Sequence, residues 1–149
     1  MIKFSLLVGL AWTAATALGC ECVPVSLDEA NAMAEVVFRG TVTNIHGGSV
    51  SFRVDRVWKG NVGRTFHMPD FPESSACIGF LEKWLRVGND LLVFAARLHR
   101  FPGDNDYFTN ICTRTGLASE ASDALAKLGR GRPPGNSATP KGNGGLSRK

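Results

Sequence analysis

Hydrophobic and polar residues alternate along this chain with a changing period, and the changes mark its elements. Ser26-Leu27-Asp28-Glu29 has the form of a capping box, with Ser26 as N-cap and Glu29 reaching back to it. The spacing predicts a short helix over 27–34 that packs on Leu27, Ala30 and Ala34. Residues 36–45 are a β-branched and aromatic run in which Phe38, Gly40 and Val42 share one face, with Gly40 a point of bending or bulging. His46-Gly47-Gly48-Ser49 is a turn signal. Beyond it Val50, Phe52 and Val54 alternate with Ser51, Arg53 and Asp55, a half-buried strand returning as a hairpin, and Val57-Trp58 breaks the alternation as a bulge does. A third strand is expected over 64–68, a fully apolar fourth over 91–96, and a fifth over 107–113 that carries Cys112. Ala121, Leu125 and Leu128 recur at helical spacing within 119–128, closed by Gly129. Five short strands with a helix at each end predict a mainly β fold, a small closed five-stranded barrel, of which the OB-fold is the commonest design.

The ends of the chain have a different character. Met1 and Lys3 lead into an apolar stretch over 4–12, and Ala17-Leu18-Gly19 supplies small residues before Cys20. Residues 1–19 therefore read as a secretory signal peptide cut before Cys20, with an apolar run too short for a transmembrane segment. The expected location is secreted, extracellular or periplasmic. About 130 residues then remain, enough for one core over 20–129. Residues 130–149 are rich in Gly, Pro and polar side chains, with Leu146 the one sizeable apolar group, and are expected to stay disordered.

Charge sharpens this division. The net charge is +4, yet residues 20–128 hold 11 Lys and Arg against 13 Asp and Glu. The excess lies in Lys3 and in Arg130, Arg132, Lys141, Arg148 and Lys149, so the basicity belongs to a tail suited at most to anionic surfaces. Nucleic acid is not an expected partner. Phe38, Phe52, Trp58 and Phe66 fall at core positions of the strand pattern, and Trp84 reads as a packed cover for the barrel, with an exposed binding aromatic as the alternative.

No catalytic constellation or cofactor motif is present in the sequence. His46, His67 and His99 are scattered, Ser74-Ser75 lacks a nucleophile-elbow setting, and Gly47-Gly48 sits in a hairpin rather than before a helix. The expectation is a monomeric binding protein without cofactor or enzymatic activity.

The chemistry concentrates on cysteine. Cys20, Cys22, Cys77 and Cys112 in a small exported domain point to two disulfides. A Cys20–Cys22 ring is too tight for disulfide geometry, which leaves two pairings, each tying the N-terminus to distant parts of the barrel. Each bridge closes a loop of more than fifty residues, worth on the order of 3 to 4 kcal/mol in the chain-entropy account. Lipidation of Cys20 would leave three thiols, an odd number, and Cys-x-Cys without a second close pair lacks the spacing of a structural zinc site. Cys20 is thus expected as a disulfide-pinned first residue. Fold stability alone is a sufficient purpose for such bridges, and a rigid binding edge is a second.

The N-terminal Cys-x-Cys, A-E-V-V-F-R-G-T-V, the hairpin V-S-F-R-V-D-R-V-W-K-G, S-S-A-C-I-G-F, L-L-V-F-A-A-R and a late cysteine before a closing helix resemble the netrin-like domain. More closely, the pattern over about residues 20–129 resembles the inhibitory domain of tissue inhibitors of metalloproteinases, in its compact bacterial form. The resemblance implies an OB-fold barrel with disulfides Cys20–Cys77 and Cys22–Cys112. It also implies that the free α-amine and carbonyl of Cys20 chelate the zinc of a metalloproteinase in trans, with Glu21, Cys22, Val23, Ser75, Ala76, Cys77 and Ile78 against the protease. Such a chelate is chemically sound, since a catalytic zinc keeps one position open and an α-amine titrates at about 7.7 to 8. One residue departs from the pattern. Glu21 stands where the inhibitors carry a small Thr or Ser, and burying an unpaired carboxylate in an apolar protease pocket costs several kcal/mol. The alternative expectation is a netrin-like module for another extracellular or envelope partner.

Overall fold

The hairpin of the two longest strands organises the molecule. A computed structural model describes residues 22–23, 25–70, 78–97 and 106–136. In it β1 (Val36–His46) and β2 (Ser49–Lys59) run antiparallel around Gly47 and Gly48, both at positive φ (60° and 76°), as a tight right-twisting turn requires. Three irregularities curl the pair. Val37 faces Lys59 while Phe38 faces Val57, which leaves Trp58 as the extra residue of a bulge, as the broken alternation predicts. Asp55 is extra opposite Arg39-Gly40, and Thr43 opposite Phe52-Ser51. Gly40 sits at the middle irregularity, where a Cβ would lie 3.0 Å from the Arg53 carbonyl oxygen, so a side chain there would push the two strands apart.

β3 (Thr65–Pro69) pairs with the outer edge of β2, and β4 (Asp90–Arg97) with the outer edge of β1. β5 (Tyr107–Phe108) pairs with β4 at Ala96 and Arg97. The resulting order β3-β2-β1-β4-β5 curls until β3 and β5 approach, where the rings of Phe66 and Tyr107 lie 5.3 Å apart. This is a nearly closed five-stranded antiparallel barrel of the OB type, as expected from the strand pattern.

Alternation along the strands divides the apolar side chains into two groups. Phe38, Val42, Val50, Phe52, Val54, Phe66, Met68, Leu91 and Val93 point inward and are buried, with Phe80 and Trp84 closing the interior. Trp84, on a single 3-10 turn at Glu82–Trp84, is 5% exposed, so it is a packed cover and not a binding aromatic. Val37, Leu92 and Phe94 point outward and are covered by the two helices. α1 (Leu27–Met33) lays Ala30 on this patch, with its C-cap Ala34 alongside, and α2 (Ser122–Leu128) lays Ala124 beside them. The predicted capping box of α1 is formed. The Glu29 amide donates to Ser26 Oγ at 3.2 Å, and the Ser26 amide donates to Glu29 Oε2 at 2.9 Å.

Three expectations need revision. The fifth strand stops after two residues. Cys112 lies in the turn that follows, and a further short strand, β6 (Gly116–Leu117), returns to β4 at Leu91 and Leu92. On the edge of β4 away from β1, between β5 and β6, the backbone of Phe94 meets no strand among the described residues. Its N–H donates to Thr115 Oγ1 at 2.9 Å and its carbonyl accepts from Thr109 Oγ1 at 2.8 Å, so buried hydroxyls replace ladder bonds. The closing helix is shorter than 119–128 because residues 118–120 form a 3-10 turn and Ala121 leaves helical geometry (φ −111°, ψ 27°).

The boundary placed at Gly129 also shifts. Val57 and Arg132 exchange backbone hydrogen bonds of 2.9 and 2.8 Å, and the Gly135 amide donates to Val62 O at 2.8 Å. Trp58 Nε1 donates to Gly129 O at 3.0 Å, and the Arg132 guanidinium donates to Gly60 O. Residues 130–136 therefore belong to the folded unit. The remainder of the expected tail, 137–149, and the expected signal peptide, 1–19, lie outside the described residues.

Candidate functional site

Residues 109–115, between β5 and β6, bring together what the sequence keeps far apart. Asn110 opens the turn, and its Oδ1 accepts the Cys112 amide at 2.8 Å, an Asx turn that fixes the Cys112 backbone. Cys112 is bonded to Cys22 across 90 residues of sequence. This disulfide is the pairing implied for these two cysteines. On the other side of the turn, Asn110 forms an antiparallel bridge with Ile78, and the Gly79 amide donates to Thr109 O at 2.8 Å. The same turn thus holds the described ends of both expected binding segments, Cys22-Val23 and Ile78.

Beyond Cys22 the chain is exposed and then recaptured. Val23 is 80% exposed, an apolar side chain held in water next to a disulfide. Val25 turns inward against the helix-covered patch, and its carbonyl accepts from Arg114 Nη1 at 3.3 Å. Arg114 Nη2 donates to Asp123 Oδ2 at 3.0 Å on the first turn of α2. Cys20, Glu21, Ser75, Ala76 and Cys77 lie outside the described residues, and with them the expected Cys20–Cys77 bridge and the expected zinc-chelating group.

The surroundings are apolar on one side and polar on the other. A cleft of about 180 Å³ opens beside the turn, lined by Met33 of α1 and by Ile78, Phe94, Phe108, Asn110 and Thr113 among others. Met33 is 55% exposed at its rim. Near the far end of β4, Arg97 lies 4.5 Å from the centroid of the Tyr107 ring and 3.5 Å from Glu35 Oε2. Elsewhere Asp90 accepts from Arg39 Nε at 2.8 Å, and that bond holds the guanidinium pKa above its ordinary value.

Among the described residues no group of three or more His, Cys, Asp or Glu gathers to hold a metal. His67 is instead hydrogen-bonded through Nδ1 to Ser51 Oγ at 2.9 Å on the outer face of the barrel. Asn110 and Arg114 escape the sequence reading, although Asn110-x-Cys112 is an Asx-turn signature that places a loop where a strand is expected. Arg114 gives no sequence signal at all, since its role depends on a left-handed backbone (φ 65°).

No protein-family model matches the chain, and no curated protein matches it.

Proposed function

We propose that this chain is a secreted, inhibitor-like binding protein without catalysis of its own. Its N-terminal edge, from Cys20 to Val23 with 75–78 alongside, docks on a zinc metalloendopeptidase. The observation that carries this reading is the turn at 109–115, which gathers Cys22 and Ile78 while leaving Val23 80% exposed. Met33, 55% exposed, lines the cleft beside the same turn, so two of the exposed apolar side chains gather where the bridge fixes the chain. An edge fixed in advance loses less conformational freedom on binding, which is where a bridged segment gains affinity. In this reading the Cys20 amine and carbonyl take the open position of the protease zinc, and Glu21 enters the neighbouring pocket. Glu21 selects for a target whose pocket supplies a cation, because an apolar pocket strips water from the carboxylate without a partner.

The test is inhibition of zinc endopeptidases, with thermolysin and a matrix metalloproteinase catalytic domain as probes. Three forms are compared: mature protein starting at Cys20, the same protein with one Ala added before Cys20, and Glu21→Thr. The chelate requires a free amine on Cys20, so the added Ala should raise the inhibition constant by at least about a hundredfold while leaving the melting temperature unchanged. Glu21→Thr should shift preference toward the enzyme with the apolar pocket. Equal inhibition by the mature and Ala-extended forms, or none by any form against either enzyme class, removes the zinc-chelating reading. It leaves a netrin-like module for a different partner, which the charge of Glu21 favours.

A further inference from the structure

Arg114 has a backbone that disfavours it and a side chain that explains its presence. Its φ of 65° is the only positive value at a non-glycine residue among those described. A left-handed arginine carries a steric penalty that glycine would avoid. Such strain persists where the surroundings over-determine it, and an observed outlier is a reason to look for a role. The left-handed turn sends the guanidinium toward two groups from opposite ends of the chain. Nη1 donates to the Val25 carbonyl at 3.3 Å and Nη2 to Asp123 Oδ2 at 3.0 Å. Nε is buried with no hydrogen-bond partner among the described residues, so the fork makes the described bonds of this side chain.

The geometry points to Arg114 as the positioning residue of the exposed N-terminal edge. Cys112, two residues earlier, fixes Cys22 through the disulfide, and Arg114 fixes Val25, so one turn clamps both ends of the stretch from Cys22 to Val25. With both ends held, Val23 has few directions available and points outward. Val25 also packs on the helix-covered patch and Ser26 is held by the capping box, and Arg114 adds a hydrogen bond that fixes the Val25 carbonyl where the chain leaves Val23. The planar fork is what lets one side chain hold a backbone carbonyl and a carboxylate together. The consequence for inhibition rests on the function proposed above, whereas the clamping itself does not.

Arg114→Gly separates the clamp from the fold, because glycine relieves the backbone strain while deleting the side chain. Arg114→Lys keeps the positive charge but cannot span both acceptors. In the mature full chain, backbone ¹⁵N relaxation is measured at Val23 and Val25 alongside the melting temperature. In Arg114→Gly the order parameter at Val23 should fall from about 0.85 to below about 0.6, with a smaller fall at Val25, which still packs on the helix-covered patch, and with the melting temperature within a few degrees of the parent. Arg114→Lys should loosen the same two residues partially. Where the parent inhibits a zinc protease, the glycine variant should inhibit about tenfold more weakly. Val23 and Val25 as rigid in both variants as in the parent would overturn the proposal. So would loosening spread evenly over the barrel, which marks a merely structural arginine. Loosening confined to 22–25 in a parent that inhibits no protease upholds the clamp and overturns the function.

Discussion

Glu29 carries both the start of α1 and its pH dependence. Its carboxylate accepts from the Ser26 hydroxyl at 2.7 Å and the Ser26 amide at 2.9 Å, and these bonds, the hydroxyl's first, hold its pKa below the ordinary glutamate value. A depressed folded-state pKa means that the unfolded chain binds the proton more readily. The stabilisation is therefore complete above the unfolded-state pKa and is lost as pH falls from there through the lowered folded value. Unfolding followed from neutral pH into the acid range should lose this contribution, and Glu29→Gln, which cannot ionise, should flatten that part of the profile. A Glu29 carboxyl signal titrating at the ordinary value in NMR would contradict it. This residue was legible in the sequence because a capping box is a local device, four residues with their own hydrogen bonds. Arg114 was not legible, since its partners Val25 and Asp123 meet it only in the folded chain.

At the scale of elements, the bulge at Trp58 and the segment after α2 form one structure. The extra residue in β2 swings the indole outward, and Gly131, at φ 62°, passes so close that a Cβ would lie 3.0 Å from the ring. The chain then pairs at Val57 and again beside Val62. Ending the protein after Gly129 deletes three backbone hydrogen bonds and uncovers Trp58, and at about 1 kcal/mol for each bond the loss should be about 2 to 4 kcal/mol. Ending it after Asn136 keeps every described contact and should leave stability unchanged. Urea unfolding of the three lengths decides the matter, and a Gly129 truncation as stable as the full chain would return 130–136 to the status of a tail. The composition of 130–149 hid this pairing, because Gly and Pro reveal low burial but not backbone bonds to an edge. The β1–β2 hairpin and its bulge at Trp58 were visible, since alternation and its interruption report directly on the pleat. Strands β5 and β6 were too short to have a period, and the hydroxyls of Thr109 and Thr115 stand in for the pairing between them.

For the molecule as a whole, the disulfide from Cys22 to Cys112 joins the start of the described chain to the turn between its last two strands. Its position could not be derived from spacing. Two pairings were open, and the sequence put Cys112 on a strand and not on the turn that meets Cys22. The bridge spans 90 residues, and cross-linking a loop of that length restricts the unfolded chain by about 4.6 kcal/mol. A coexisting Cys20–Cys77 bridge, which the resemblance implies, would shorten the effective loop to about 40 residues, and the logarithm changes the figure by less than about 1 kcal/mol. Cys22→Ser combined with Cys112→Ser should thus lower stability by about 4 to 4.6 kcal/mol with or without the other bridge, a fall of roughly 15 °C in melting temperature for a chain of this size. The barrel interior, filled by Phe38, Phe52, Phe66, Phe80 and Phe94's neighbours on β4, makes no use of either sulfur, so the double variant should keep its fold and its β circular dichroism at 20 °C. A drop below about 1 kcal/mol would mean that the unfolded chain already holds these ends together. The bridge would then serve the position of Val23 more than the stability of the barrel, and the Arg114 clamp would be the element to measure next to it.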